Sequence, residues 1–389
     1  MATPPLPDGL RVGIVTLWDG EPSFACAIMH WCDHALRLAQ VFGQYLKATA
    51  DLSIILTTNK GDGVLASDCP RMTVLRPDAA LKAAVTRFSK IGCKESWAGG
   101  LQNMYKWLVF SLVQYQLLVY ADLDVELLRP EQPLEVVGAR WRNTFHIAAP
   151  PNREPHFLST NDMESPLNGG LWSLAWPSTR LYDLGLGAMH SVRWNETDGF
   201  DGIGQPRDLY RNRSKLHWRM GSTRMLRSNT WHFSMGDCDQ AFLFHMLYLK
   251  TAVGADFEPV ESTSRQVGGP VSIGSMQHGK HLPAFVHTAR HYYSHPKPWY
   301  WTKCQQQAHR NFVEGQYERC PVLPERRGEY LKNAGRVLWF LSHTDWRSRP
   351  LASSTCAAAF AKVLPELTKY GRQPPTKPPK YSGSLQRLR

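Results

Sequence analysis

From residue 11 to residue 124 the chain alternates apolar runs of strand length with stretches of helical periodicity, and few architectures accept that alternation. Arg11-Val-Gly-Ile-Val-Thr-Leu-Trp18 reads as a buried strand, and Phe24 to Lys47 carries the apolar spacing of a helix. Leu52-Ser-Ile-Ile-Leu-Thr57 reads as the next strand, followed by the turn Gly61-Asp62-Gly63. Leu101 to Tyr115 reads as an amphipathic helix. It runs into Gln116-Leu-Leu-Val-Tyr-Ala-Asp-Leu-Asp124, an apolar strand that ends in two carboxylates. A strand that follows a helix in this way belongs to a βαβ unit, so the expected class is α/β with a mostly parallel sheet covered on both faces.

Beyond Asn143 the runs shorten and are separated by Pro and Gly. Phe145-His-Ile-Ala-Ala149 and Gly170-Leu-Trp-Ser-Leu-Ala175 are the strand candidates there. The stretch 178–234 is polar and rich in Arg and Gly, and reads as an insertion or acceptor-side subregion. After Trp301 the pattern is helical, with Tyr330 to Ser342 and Cys356 to Tyr370 as pieces. The tail Gln373-Pro-Pro-Thr-Lys-Pro-Pro-Lys380 has a composition that cannot build a packed core.

At 389 residues, with 43% apolar and 20% charged, the chain can bury a substantial core. A net charge of +12 favours phosphates and other polyanions. The excess gathers between Arg207 and Arg227 and in the tail, however, and His217 with Trp218 does not make a nucleic-acid module, so no nucleic-acid partner is expected. No run reaches the roughly 18 uncharged apolar residues a spanning helix needs, and the N-terminus lacks the pattern of a signal peptide. Cys26, Cys32, Cys69, Cys93, Cys238, Cys304, Cys320 and Cys356 are scattered rather than densely spaced, which predicts reduced thiols and a cytoplasmic protein.

The chemistry-bearing residues start with Asp122 and Asp124. A strand puts alternate residues on one side, so both carboxylates would aim the same way beyond the strand's carboxyl end, where open α/β sheets bind ligands. Two solvated acids at a strand end would look the same in isolation. A second cluster, Cys26-x3-His30-x-Cys32-x-His34, has zinc-ligand residue types. Cys32 would point away from the face shared by the other three, and a helix packed on the first strand is the better reading.

Taken in order, Tyr120-Ala-Asp-Leu-Asp124, Leu167-Asn-Gly-Gly-Leu171, Asp239-Gln240 and His291-Tyr-Tyr-Ser-His-Pro-Lys-Pro-Trp299 resemble the glycogenin-like retaining glycosyltransferases of family 8. That group also includes galactinol synthases and plant glucuronosyltransferases. The family's HxxGxxKPW pattern is matched by His291, Lys297, Pro298 and Trp299, with Ser294 where the glycine stands. The resemblance spans residues 10 to 301 and implies a GT-A fold, a Rossmann-like mixed sheet flanked by helices. The implied layout is an N-terminal arm over 1–9, a catalytic domain over 10–301 with the insertion at about 178–234, a helical extension over 302–370 and a Pro/Lys-rich tail over 371–389.

The resemblance further implies a UDP-sugar donor and transfer with retention of anomeric configuration, to a carbohydrate, polyol or protein acceptor. Asp122, Asp124 and His291 would hold Mn²⁺, with Mg²⁺ as the alternative cation. Thr16, Leu17, Leu123, Ser294 and Lys106 would line the donor, Lys297 would face the leaving phosphate, and Asn168 and Gly169 would meet the sugar. Asp239 and Gln240, with Asp237 nearby, would stand at the reactive face. Plainer roles remain open at this stage: Lys106 as a solvated helix lysine, Lys297 as a surface lysine, His291 as a structural histidine, Asn168-Gly169 as an ordinary turn, and Asp239 as a helix cap. Retention leaves open both front-face attack and a double displacement through Asp237 or Asp239. A homodimer is compatible with the sequence. So is a non-catalytic relative that binds nucleotide sugars or glycans as a scaffold.

Overall fold

A computed structural model describes residues 9–20, 25–59, 62, 65, 69, 71–93, 100–123, 125–127, 134–135, 138–139, 141, 154–159, 167, 169–212, 224–233, 235–251 and 286–287. The first strand, β1, runs Arg11–Trp18, the residues its apolar run predicts. Helix α1 (Ala25–Val41) continues into a π-helical turn, Phe42–Leu46, which ends at Lys47 in the left-handed region. Strand β2 (Thr49–Leu56) starts three residues earlier than the apolar run suggests. Strand β3 (Met72–Leu75) and helix α2 (Ala79–Phe88) were not legible in the sequence pattern. Asp78 caps α2 by accepting the Leu81 N–H at 2.7 Å, and Leu81, Ala84, Val85 and Phe88 form its buried stripe.

The expected helix over 101–115 is a 3-10 helix, Gly100–Ser111, and it delivers the chain to β4 (Leu117–Ala121). The strand stops at Ala121, short of the predicted Asp124, and a separate two-residue strand β5 (Val125–Glu126) follows. Then come β6 (His156–Ser159), β7 (Leu171–Ala175), α3 (Thr179–Ser191), a small hairpin of β8 (Trp194–Asn195) and β9 (Gly199–Phe200), α4 (Pro206–Asn212) and α5 (Arg224–Ser228). Helix α6 (Asp239–Phe244) passes into a π-helical turn, His245–Lys250, and β10 is Val286–His287.

The main sheet has the order β3-β2-β1-β4-β7-β6. Strands β3, β2, β1 and β4 are parallel, while β7 pairs antiparallel with both β4 and β6. It is therefore a Rossmann-like mixed sheet flanked by helices, as expected for its α/β class. The chain leaves β1 toward β2 and β3 and returns to β4 on the other side. That reversal makes a switch point between the carboxyl ends of β1 and β4, the position at which open α/β sheets bind ligands.

Alternation along the strands sorts the core into two layers. On one side Val12, Ile14, Trp18, Leu117, Val119 and Ala121 pack with Ile28, Trp31, Ala35 and Leu38 of α1. On the other, Val15, Leu118, Tyr120, Phe157 and Trp172 meet α2, the 3-10 helix, α3 and α6. The stretch 178–234 contributes Leu181, Tyr182, Met189, Phe200, Met225 and Trp231 to this second layer, despite its polar average. Close approach there needs a glycine: a Cβ on Gly185 would lie 1.9 Å from the Trp107 ring, which donates its indole N–H to the Tyr182 carbonyl at 2.9 Å.

The expectation of reduced thiols is overturned for four cysteines. Cys32 is bonded to Cys69 and Cys93 to Cys238, with Cα separations of 6.2 and 4.5 Å. The partners stand 37 and 145 residues apart, so only the tertiary fold brings them together and no local spacing announces them. The inference from thiols to a cytoplasmic location falls with it. The first cross-link also removes Cys32 from the zinc reading of α1. No helix among the described residues is long and apolar enough to cross a membrane.

Candidate functional site

Tyr120 and Asp122 are two residues apart at the end of β4, so both face the second core layer, on the side of the 3-10 helix. Lys106, on that helix, points at them. Its ammonium donates to Asp239 Oδ2 at 3.0 Å, to the Gly169 carbonyl at 3.1 Å and to Asp122 Oδ2 at 3.3 Å, and lies 3.2 Å from Asp122 Oδ1. Three N–H donors thus meet three acceptor groups. The lysine side chain is 3% exposed and that of Asp239 4%, while Asp122 keeps 24% and so reaches solvent. The reading of Lys106 as a solvated lysine is excluded by this burial.

The backbone of the turn after residue 167 ties the cluster together. Gly170 O accepts the Asp122 N–H at 2.7 Å, beside the Gly169 carbonyl that takes Lys106. A Cβ on Gly169 would lie 2.8 Å from both Asp239 Oδ2 and Gln240 Cγ, so glycine is what lets this turn press against α6. Asp239 is the first residue of α6 rather than its cap. The cap position is Cys238, which makes no capping bond, and the Asp239 carboxylate turns to Lys106 instead. The start of α6 is anchored from behind, where Asp237 O accepts the Cys93 N–H at 2.7 Å beside the Cys93–Cys238 bond. The Asp237 side chain is itself buried.

The electrostatics follow from burying two carboxylates around one ammonium. Burial alone would push the Lys106 ammonium down, but Asp122 and Asp239 outweigh it and hold it protonated, above its ordinary range. Burial raises the Asp239 carboxyl, and Lys106 with, more weakly, the Gln240 N–H works against that shift. Formally the trio carries one net negative charge. Asp239 Oδ1, Gln240 Oε1 and, at the end of β1, Thr16 Oγ1 are buried without a hydrogen-bond partner among the described residues. A buried polar atom left unpaired costs free energy unless a ligand or water meets it. Asp239 Oδ1 and Gln240 Oε1 therefore mark where a polar ligand would sit beside the cluster, whereas Thr16, in step with Ile14 and Trp18, faces the α1-side layer.

Of the residues expected from sequence, the fold brings Lys106, Asp122, Gly169, Asp239 and Gln240 together. Thr16 and Leu17 lie on β1, the neighbour of β4, where Val15 pairs with Tyr120. Leu123 is buried in the α1-side layer. Asp124, Asn168, His291, Ser294 and Lys297 lie outside the described residues, and among the described residues no group of three His, Cys, Asp or Glu forms a metal cluster. The donor chemistry at Asp122, hard carboxylate oxygen at a partly open position with net negative charge around it, suits Mg²⁺ or Mn²⁺. One backbone contact bears on the expected third ligand: β10 pairs antiparallel with β5, setting His287 opposite Val125 and Val286 opposite Glu126. Sequence reasoning missed Tyr120, whose hydroxyl donates to Asp122 Oδ1 at 2.6 Å. Its signal was the two-residue step to Asp122.

No protein-family model matches the sequence, and no curated protein matches it. Solved structures resemble it weakly. Mouse xyloside xylosyltransferase 1 in its apo form is 12% identical over 64% of this chain and 85% of that one, with a TM-score of 0.31. The glycosyltransferase GlyE of Streptococcus pneumoniae TIGR4 is 10% identical over 82% and 67%, with a TM-score of 0.35. The galactosyltransferase LgtC in complex with donor and acceptor sugar analogues is 11% identical over 82% and 99%, with a TM-score of 0.31. Likeness at this level leaves the reaction to be argued from the residues of the site.

Proposed function

We propose that this chain is a glycosyltransferase that moves a sugar from a UDP-sugar to an acceptor with retention of anomeric configuration, using a divalent cation held by Asp122, Asp124 and His291. The observation that carries the reading is the buried Lys106–Asp122–Asp239 cluster at the β1–β4 switch point, with Asp239 Oδ1 and Gln240 Oε1 of α6 buried there without a partner among the described residues. Such a cluster costs desolvation and is poor evidence of stability, whereas perturbed, partly unsatisfied groups in a crevice are what a site for a charged ligand requires. The β5–β10 pairing supports the third ligand. Residue 287 lies beside residue 125, and four further residues span at most about 14 Å, enough for His291 to return to the acids.

In this reading the residues divide the work. Thr16 and Leu17 border the nucleoside, and Asp122 and Asp124 with His291 grip the diphosphate through the cation. When bound, the cation neutralises charge on the leaving diphosphate. Lys297 adds a second positive charge there as the glycosidic C–O bond breaks. Asp239 is held through Oδ2 and offers Oδ1 to the positive charge that develops at the anomeric carbon, while Gln240 Oε1 and Asn168 orient sugar or acceptor hydroxyls. Retention follows if the acceptor hydroxyl attacks from the face the leaving group departs. Its oxygen bonds to the anomeric carbon, its proton passes to a leaving phosphate oxygen, and the bonding pair leaves with UDP.

A thermal-shift panel of UDP-sugars with and without Mn²⁺ tests the proposal, because a ligand that binds only the native state raises its stability with the logarithm of its concentration over its Kd. At least one UDP-sugar should raise the melting temperature in Mn²⁺ and fail to do so in EDTA. No shift with any nucleotide sugar in either condition would sink it. Release of UDP on adding acceptors to the sugar that binds then separates a transferase from a scaffold.

A further inference from the structure

We propose that Tyr120 is a positioning residue that orients the Asp122 carboxylate for the cation. The inference rests on the reading of Asp122 as a cation ligand and adds to it a residue which that reading does not contain. The tyrosine is fully buried, and its hydroxyl donates to Asp122 Oδ1 at 2.6 Å, a short bond of the charge-assisted kind. The ring cannot swing away. It stacks on Trp172, its cross-strand partner on β7, with centroids 4.8 Å apart and planes 15° from parallel, and Trp172 stacks in turn on Phe110 at 5.6 Å. The Lys106 ammonium stands 5.3 Å from the ring centroid.

Lys106 alone would hold Asp122 badly for this purpose. It approaches both carboxylate oxygens, at 3.2 and 3.3 Å, from the buried side, and it draws the group toward Asp239. Its positive charge also repels an incoming cation. Tyr120 supplies a neutral donor on Oδ1, which fixes the rotation of the carboxylate plane without that repulsion. A carboxylate has about four lone-pair positions, so one bond from the hydroxyl and those from the ammonium leave outward lone pairs free. Partners of this kind fix the orientation of metal ligands, and losing one typically costs 10–100-fold in metal affinity.

The test measures Mn²⁺ affinity directly, by the electron paramagnetic resonance signal of free Mn²⁺ in the presence of saturating UDP. Four proteins are compared: wild type, Tyr120→Phe, Asp122→Asn and Tyr182→Phe. The phenylalanine keeps the stacked ring and removes only the hydroxyl. Tyr182→Phe removes a like bond, Tyr182 OH to Asp78 Oδ2 at 3.1 Å, on the α2–α3 contact, and controls for loss of a partly buried tyrosine–carboxylate bond as such. The proposal expects Tyr120→Phe to weaken Mn²⁺ binding about 10–100-fold, with a melting temperature close to that of Tyr182→Phe, which binds Mn²⁺ like wild type. Wild-type Mn²⁺ affinity in Tyr120→Phe alongside its loss in Asp122→Asn overturns the role of Tyr120 and leaves the cation site standing. A lowered melting temperature with unchanged Mn²⁺ affinity makes the residue structural and also overturns it. Equal Mn²⁺ affinity in wild type and Asp122→Asn removes the cation site itself, and this inference with it.

Discussion

The two ends of the parallel strands carry ion pairs of opposite character. At the amino end Arg11 meets Asp51 at 3.0 Å, with the side chains 48% and 39% exposed, and its guanidinium lies over the Tyr115 ring at 5.3 Å. At the carboxyl end Lys106 is enclosed between Asp122 and Asp239, with almost no exposure. Lysine and arginine serve the same formal purpose, yet one pair lies in water and the other has been taken out of it. Solvent weakens the first to little net worth, whereas the second must offset a desolvation cost with every hydrogen bond it makes. A protein that needed only stability would fill the carboxyl end with apolar groups. The buried charge there, with Asp239 Oδ1 unpaired among the described residues, is what the proposed donor site accounts for.

The sharpest way to break this contrast is Lys106→Met. It leaves two carboxylates facing each other in a buried space, and the expected loss is about 3–5 kcal/mol of stability by urea denaturation. The sign of its pH dependence is a second check. Burial already raises the Asp239 carboxyl, so without Lys106 it binds its proton more tightly in the folded than in the unfolded chain. The stability that proton supplies is present at low pH and is lost as pH rises through the folded-state value. The gap to wild type should therefore narrow on acidification. A variant equally destabilised at all pH values would assign the loss to packing.

A smaller effect is expected from Gly169→Ala. Its methyl group would meet Asp239 and Gln240, and overpacking of this kind costs about 1–3 kcal/mol. Sugar transfer should fall more than donor binding, since the proposed function sets the displaced atoms against the sugar rather than the nucleotide; equal losses would move Gly169 out of the reactive face. Least affected should be Arg11→Ala, about 0.2–1 kcal/mol, shrinking further in high salt and leaving transfer unchanged. A loss comparable with that of Lys106→Met would erase the distinction between the two ends.

Much of the frame was legible because the parallel strands are buried on both faces and read as continuous apolar runs: β1 matches its predicted span residue for residue, and β2 and β4 are offset by a few. Strand β3 was missed because Met72-Thr-Val-Leu75 is only four residues long and half-exposed. The antiparallel turn of β7 was missed because apolar runs carry no direction. At the site, sequence motifs pointed to Asp122, Asp239 and Lys106 separately. Their union spans 133 residues between Lys106 and Asp239, and no periodicity encodes a contact of that range. The same holds for Cys93 and Cys238, whose cross-link depends on α6 returning to the loop after α2.

The most direct test of the central claim, that the acids after β4 and the imidazole at residue 291 hold one cation beneath a diphosphate, is calorimetric titration of UDP into the wild-type protein and His291→Ala, in Mn²⁺ and in EDTA. The account predicts wild-type binding at least about tenfold tighter in Mn²⁺, with that advantage lost in His291→Ala. Equal wild-type affinity for UDP in Mn²⁺ and in EDTA would contradict it.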